Sequence, residues 1–183
     1  MDTREKILKA ARELFAEKGY DKTTVDEIVE RAGVAKGTFY NYFKSKEELI
    51  KIVALQSLPY SAIREELEKE HESLTEFLHS IANAYIVYYC DPVLRSLFFY
   101  TLAVKSKIKE VEEIHKTFCT EAISKGAKKI SQLANVDEKT AMVVFKAFYG
   151  ALLSRLIFVE YLCTPDVDYV SEIIRLIEKS LKN

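Results

Sequence analysis

The sequence predicts an all-α protein of about nine helices, and three observations carry that prediction. Apolar residues recur at three- and four-residue intervals along most of the chain, and no window alternates with the two-residue period of a half-buried strand. Capping residues punctuate the periodic runs: Asp2, Thr24, Ser45, Asp91 and Asp137 stand where helices would begin, and Gly19, Gly33 and Asn135 where they would end. Five glycines and three prolines in 183 residues, with no low-complexity run, leave no room for a long linker.

Taken in order, the first helix covers 3–18. Asp2 with Glu5 caps it, Ile7, Leu8, Ala11, Leu14 and Phe15 form its stripe, and Gly19 ends it. Thr24 and Glu27 make a capping box that starts a second helix at Val25. Its apolar face is Val25, Ile28, Val29 and Ala32, and Gly33 supplies the left-handed residue that stops it. A third helix begins near Lys36, with Phe39 and Phe43 four apart on its inner face. Ser45 with Glu48 reads as another capping box, so a fourth helix starts at Lys46 and continues past Leu67, with Pro59 kinking or breaking it. The fifth, about 73–90, carries Leu74, Phe77, Leu78, Ile81, Tyr85, Tyr88 and Tyr89 on one broad face. Asp91-Pro92 stops the chain and restarts it for a sixth helix. The seventh spans about 107–133, with Gly126 as a weak point. The eighth follows Asp137 to about 163, and the ninth runs over 168–181 after the turn Thr164-Pro165-Asp166.

The stretch 23–46, TTVDEIVERAGVAKGTFYNYFKSK, carries the chemistry. With Phe39 and Phe43 inward, Gly37, Thr38 and Asn41 fall on the opposite side of the third helix, and Tyr40 and Tyr42 on its flanks. An ordinary solvated helix would carry Glu and Lys there. From Arg31 to Lys46 there are four cations (Arg31, Lys36, Lys44, Lys46) and no acid, in a chain of net charge −1. Lys46 lies on the first turn of the fourth helix, where the dipole favours an anion. Two short helices joined by a glycine turn, with a polar outer face and local positive charge, form a helix-turn-helix whose second helix enters the DNA major groove. A helical hairpin inside a core is the structural alternative. Thr24, Tyr40, Tyr42 and Lys46 are the candidates for phosphate, and Lys36, Gly37, Thr38 and Asn41 for base edges.

AGVAKGTFYNYFKSKEEL, preceded by AARELFAEKGYDKTTVDEI, resembles the N-terminal domain of TetR-family transcriptional regulators over about the first fifty residues. The resemblance supports DNA contacts at Lys36, Gly37, Thr38, Tyr40, Tyr42 and Lys46, whereas Asn41 rests on helix phase alone. It also implies a ligand pocket in the body and a four-helix dimer interface built from the last two helices. A helix-turn-helix head, 1–46, and a ligand-binding and dimerisation body, 47–183, are expected. The function expected is that of a dimeric repressor of a palindromic operator on double-stranded DNA, released by a small molecule.

The body residues bear on both implications. Clustered tyrosines are unusual in a solid core, because each buried hydroxyl needs a partner. Tyr85, Tyr88, Tyr89, Phe98, Phe99, His115, Phe118, Phe145 and Tyr149 are therefore the candidates to line a pocket for an apolar or aromatic effector. His115 points inward along Ile108, Val111, Phe118 and Ala122, either as a satisfied core histidine or as a ligand contact, and Glu160 could serve a cationic ligand. If the aromatics instead fill the body solidly, the chain is a helical DNA-binding protein without an effector. The eighth helix is apolar nearly all round from Met142 to Leu162, and the ninth has a stripe that includes Ile173 and Ile177. One subunit cannot cover both faces of each, so a homodimer through Ala147, Ala151, Ser154, Ile173 and Ile177 is expected; a monomer with two central core helices is the alternative.

All three histidines sit in ExxH, as Glu68…His71, Glu76…His79 and Glu112…His115, a spacing found in di-iron helical bundles. Phase argues against such a centre: His79 lies off its helix's apolar face, and His71 is set among charges in KEHES. There is no GxGxxG, Walker loop, GxSxG or HExxH, so neither an enzyme nor a cofactor is expected. The longest apolar runs fall short of the roughly 18 residues a membrane span needs, and MDTREK does not read as a signal peptide. Cys90, Cys119 and Cys163 read as reduced, mostly buried thiols of a cytoplasmic protein.

Overall fold

The computed structural model describes residues 2–158 and 168–181. They form ten helices: α1 Thr3–Lys18, α2 Val25–Ala32, α3 Lys36–Tyr42, α4 Lys46–Gln56, α5 Tyr60–Glu68, α6 Leu74–Tyr88, α7 Pro92–Val104, α8 Lys109–Ala134, α9 Glu138–Ile157 and α10 Tyr169–Leu181. The fold is all-α. The count rises by one because Pro59 breaks the long fourth helix outright, having no N–H for the preceding turn and a ring that crowds it. The expected end of the eighth helix, the 164–166 turn, Glu160 and Cys163 lie outside the described residues.

Caps read from sequence form locally. Asp2 accepts from the Glu5 amide at 2.7 Å, and Asp91 accepts from the amides of Val93 and Leu94 beside Pro92. Thr24 and Glu27 cap each other reciprocally, and Gly33 takes φ 66° to end α2. Asn135, at φ 53°, closes α8, and Asp137 caps α9. The Ser45–Glu48 box does not form. Glu48 instead accepts from the Lys44 amide at 2.8 Å, one residue earlier than the motif requires.

The chain divides into two compact units, one of residues up to 58 together with 91–117, the other of 59–90 together with 118 onward. In the first, the α1 stripe Ile7, Leu8, Ala11, Leu14 and Phe15 is buried against Ile28, Phe39, Phe43, Leu49, Ile50 and Val53. Leu97 of α7 and Val111 of α8 complete this core, so α1 packs on more than the helix-turn-helix. Tyr100 of α7 binds the α1–α2 loop, its hydroxyl accepting from the Tyr20 amide at 2.7 Å.

The same unit contains a buried polar chain. Ser57, just past α4, lies 3.0 Å from the Thr101 hydroxyl, which lies 3.1 Å from His115 Nε2. Burial, aided by the nearby Lys105 charge, pushes the His115 pKa down to about 4, so the ring is neutral. The unfolded chain takes up this proton near pH 6.5 and the folded chain does not, so stability is present above pH 6.5 and is lost as pH falls toward 4. We expect about 2–3 kcal/mol of acid-sensitive stability from this group. Urea titrations at pH 7 and pH 4.5 should show His115→Leu losing less over that interval than the unsubstituted protein; equal losses would contradict it.

In the second unit, Ile63, Phe77, Leu78, Ile81, Tyr85, Ile130, Phe145 and Ile174 are buried. Among the described residues helix α9 is covered along one side only. Met142, Val143 and Ile157 are 40%, 62% and 45% exposed, as is Leu176 of α10 at 51%. By length and apolarity alone α9 meets the criterion for a membrane span, which the runs of apolar residues in the sequence did not suggest. Lys146 sits at its middle, and its exposed apolar residues share a face with Ala147 and Gly150, a surface suited to another helix.

Candidate nucleic-acid interface

The α2–turn–α3 element is held by short-range bonds. The Gly33 amide donates to the Glu30 carbonyl at 3.1 Å and the Val34 amide to the Val29 carbonyl at 3.0 Å, which reverses the chain immediately after α2. Phe39 and Phe43, 0% and 1% exposed, anchor the inner face of α3, their rings 5.8 Å apart. This burial orients the outer face. Lys36, Gly37, Tyr40, Asn41 and Tyr42 are exposed and Thr38 is half-exposed. Tyr40 and Tyr42 expose 52% and 44% of their surfaces, unusual for two aromatics on one short helix. A β-carbon at Gly37 would meet nothing of this chain within 4 Å, so glycine is not required there by the chain's own packing.

The cations are less available than their count suggests. Lys36 pairs with Asp26 of α2 at 2.7 Å, and Arg31 pairs with Glu17 of α1. Lys46 donates to the carbonyls of Tyr20 at 2.9 Å and Thr23 at 2.8 Å, and lies 4.1 Å from the Tyr20 ring centre. It thereby ties α4 to the α1–α2 loop with two of its three protons. Lys44 is exposed. The Thr24 hydroxyl is engaged with the Glu27 carboxylate at 2.9 Å. Hydrogen bonds from Lys18 and from Thr24 hold that carboxyl down at about 2, so it stays ionised at the start of α2.

The nine candidate ligand residues fall in both units. Phe98, Phe99 and His115 belong to the first, with Phe98 6.2 Å from the His115 ring. In the second, Tyr85, Tyr88, Tyr89 and Tyr149 form one cluster: Tyr85 lies 5.0 Å from Tyr89 and 5.6 Å from Tyr149, and Tyr88 lies 5.4 Å from Tyr89, all edge to face. Phe145 stands elsewhere in that unit, stacked on Phe77 at 6.4 Å. Phe118 joins a shallow cleft lined by Tyr60, Ile63, Arg64, Leu67, Glu121 and Ala122. Among the candidate interface residues, Ala147 is exposed, while Ala151, Ser154, Ile173 and Ile177 are half-buried.

Two expectations need correction. His71 is not solvated: its side chain is 3% exposed, packs edge-on against Phe77 at 5.2 Å and meets the Ser80 hydroxyl at 2.9 Å. The loop after α5 folds it inward, which helical phase cannot anticipate. Of the described thiols, Cys90 is exposed and Cys119 half-exposed. Among the described residues no three His, Cys, Asp or Glu side chains lie close enough to share a metal ion.

A glycine-turned helix pair with an anchored inner face and an exposed outer face of Lys, Gly, Thr, Asn and Tyr is a helix-turn-helix. Residues 7–53 match the family model of bacterial regulatory proteins of the tetR family. The chain is 51% identical over 57 residues to the HTH-type transcriptional regulator YvdT of Bacillus subtilis, covering 31% of this chain and 29% of that one. It is 28% identical over 128 residues to the regulator QacR of Staphylococcus aureus, covering 61% and 64%. These matches thus span less than two thirds of either relative. Over 99% of its length it superposes on a TerR/AcrR-family regulator from Aquifex aeolicus, covering 98% of that chain with TM-score 0.67 and 27% identity. Residues 7–53 thus carry the DNA-binding domain of the tetR family of bacterial regulatory proteins.

Proposed function

We propose that this protein is a dimeric, ligand-responsive repressor, acting in the cytoplasm on a palindromic operator. Residues 1–46 read DNA; the rest binds the effector and the second subunit. The observation that carries the reading is the outer face of α3, where the chain leaves Lys36, Gly37, Thr38 and Asn41 toward base edges and Tyr40 and Tyr42 toward phosphates. Gly37 permits close backbone approach, Thr38 offers a methyl to thymine, and Lys36 donates to guanine once released from Asp26. Thr24 and Lys46 contribute to backbone positioning, Lys46 chiefly by fixing the loop before α2. Two such helices on a two-fold axis would read half-sites about one helical turn, ~34 Å, apart.

The effector binds the body, which is rich in aromatics, and favours a packing that changes the separation of the two α3 helices, so that the operator is released. The solved structure of a SmeT–triclosan complex has the same fold, with TM-score 0.70 and 19% identity over 99% of this chain and 90% of that one, which supports an aromatic effector.

Selection from a random duplex library, followed by binding measured against salt, tests the reading. We expect a palindromic site bound with Kd on the order of 10⁻⁸–10⁻¹¹ M and an affinity that falls steeply with salt. Tyr42→Ala should weaken binding to selected and random duplexes alike. Thr38→Ala should mainly relax base preference, by about 1–3 kcal/mol at one position. If both variants changed affinity and specificity in the same way, the division between positioning and reading residues would be wrong.

A further inference from the structure

The cluster on α6 and α9 contains an unpaid hydrogen bond. Tyr85 is 2% exposed, and its hydroxyl is buried with no hydrogen-bond partner among the described residues. A phenol can donate or accept, and leaving it desolvated and unpaired is costly unless something else pairs with it. Around it stand Tyr89, at 3% exposure, and Tyr149, both edge-on to the Tyr85 ring, with Tyr88 edge-on to Tyr89. Tyr88 and Tyr149 are half-exposed, so the cluster runs from the surface to the buried hydroxyl.

Among the described residues the walls are also electrically neutral. Burial raises the phenols of Tyr85, Tyr89 and Tyr149 above their ordinary value, and the groups that add to the shift are the neighbouring tyrosines and Cys119. Among the described residues an anion would find phenols and a thiol rather than an ammonium or guanidinium. An aromatic guest could take the place of one ring in the edge-to-face array at little loss.

We propose that Tyr85 is the hydrogen-bond donor of an effector subsite formed with Tyr88, Tyr89 and Tyr149, which takes an uncharged aromatic molecule carrying an accepting oxygen. This deepens the ligand-responsive reading above and rests on it. It assigns the effector class and singles out Tyr85 among the aromatic candidates.

The test compares three probes of similar size on the full-length protein: acetophenone, which has an aromatic ring and an accepting carbonyl; ethylbenzene, which lacks the oxygen; and phenyltrimethylammonium, which replaces it with a cation. Binding is read from the melting temperature and from tyrosine fluorescence, for the unsubstituted protein and for Tyr85→Phe. Acetophenone should bind roughly three- to tenfold more tightly than ethylbenzene, the usual worth of one neutral hydrogen bond. Tyr85→Phe, which keeps the ring and removes the unpaired hydroxyl, should melt higher than the unsubstituted protein without ligand and bind the two probes equally. Equal binding of both probes to the unsubstituted protein, or an unchanged ratio in Tyr85→Phe, overturns the assignment. Tighter binding of phenyltrimethylammonium overturns the class. Binding to the selected duplex, measured on the same samples, reports separately on the DNA-binding reading, which survives any of these failures.

Discussion

Ala147→Arg is expected to convert the protein from a dimer to a monomer and to lower its operator affinity by on the order of a thousandfold, while leaving its helical content and folding intact. The expectation rests on which side of α9 the chain itself covers. Phe145, Phe148 and Leu152 are buried, whereas Val143 is 62% exposed, Ile157 45% and Met142 40%. Ala147 lies on the exposed side, and a β-carbon added at the neighbouring Gly150 would meet nothing within 4 Å. Within one chain an arginine at 147 therefore has room, and arginine is a good helix former. Across a two-fold axis the residue meets its own copy or a close neighbour of it, so two guanidinium groups would be driven into an apolar helix–helix contact without counter-ions. The large effect on DNA follows from geometry. A dimer binds its second half-site as an intramolecular event, and a monomer loses that advantage although each recognition helix is unchanged. Light scattering coupled to size exclusion measures the first effect and band shifts on the selected duplex the second. A variant that stays dimeric with unchanged affinity would place the subunit contact elsewhere. One that becomes monomeric yet binds the operator normally would remove the palindrome from the proposal.

What the sequence revealed and what it concealed divide along a physical line. Helix starts were legible where the signal is confined to three or four residues: Asp2 with Glu5, Thr24 with Glu27, and Asp91 with Val93 and Leu94 past Pro92 each contain both donor and acceptor. The inner face of α3 was legible too, because Phe39 and Phe43 at a spacing of four leave little choice of orientation. Pairing between distant segments was not. Counting Arg31, Lys36, Lys44 and Lys46 gives the local charge, but Glu17, Asp26 and the carbonyls of Tyr20 and Thr23, which engage three of them, come from other helices and loops. The Ser45–Glu48 box shows the limit even at short range: the composition fits a cap, and the carboxylate chose the neighbouring amide. His71 is a third case, since a residue in a loop has no helical phase from which burial could be read. The aromatic candidates were recognised as a set, yet the sequence could not divide them into a tyrosine cluster, a Phe77–Phe145 stack and a separate Phe98–His115 contact.

Gly126 is the sharpest instance, because sequence and structure predict opposite signs. Read alone, a glycine inside a 26-residue helix is a weak point, and Gly126→Ala should stabilise α8 by about 0.5–1 kcal/mol. In the fold Gly126 is buried where Phe145 of α9 crosses α8, and a β-carbon there would stand 2.4 Å from the ring atoms Cε2 and Cζ. The ring has little freedom to retreat: it is 0% exposed, stacked on Phe77 and packed against Phe148 at 6.5 Å. Forcing a methyl group into such a contact costs about 1–3 kcal/mol, more than the gain in helix propensity. Gly126→Ala is therefore expected to destabilise the protein by about 1–2 kcal/mol, and its Tm to fall by roughly 2–8 °C. Gly126→Val, with a larger and branched side chain, should lose several times as much. The cause can be isolated with Phe145→Leu, which removes the clashing edge of the ring. In that background Gly126→Ala should be nearly neutral, giving a coupling of about 1 kcal/mol or more between the two positions. A rise in Tm for Gly126→Ala, or additive effects in the double variant, would mean that α8 and α9 do not approach as closely as the glycine allows.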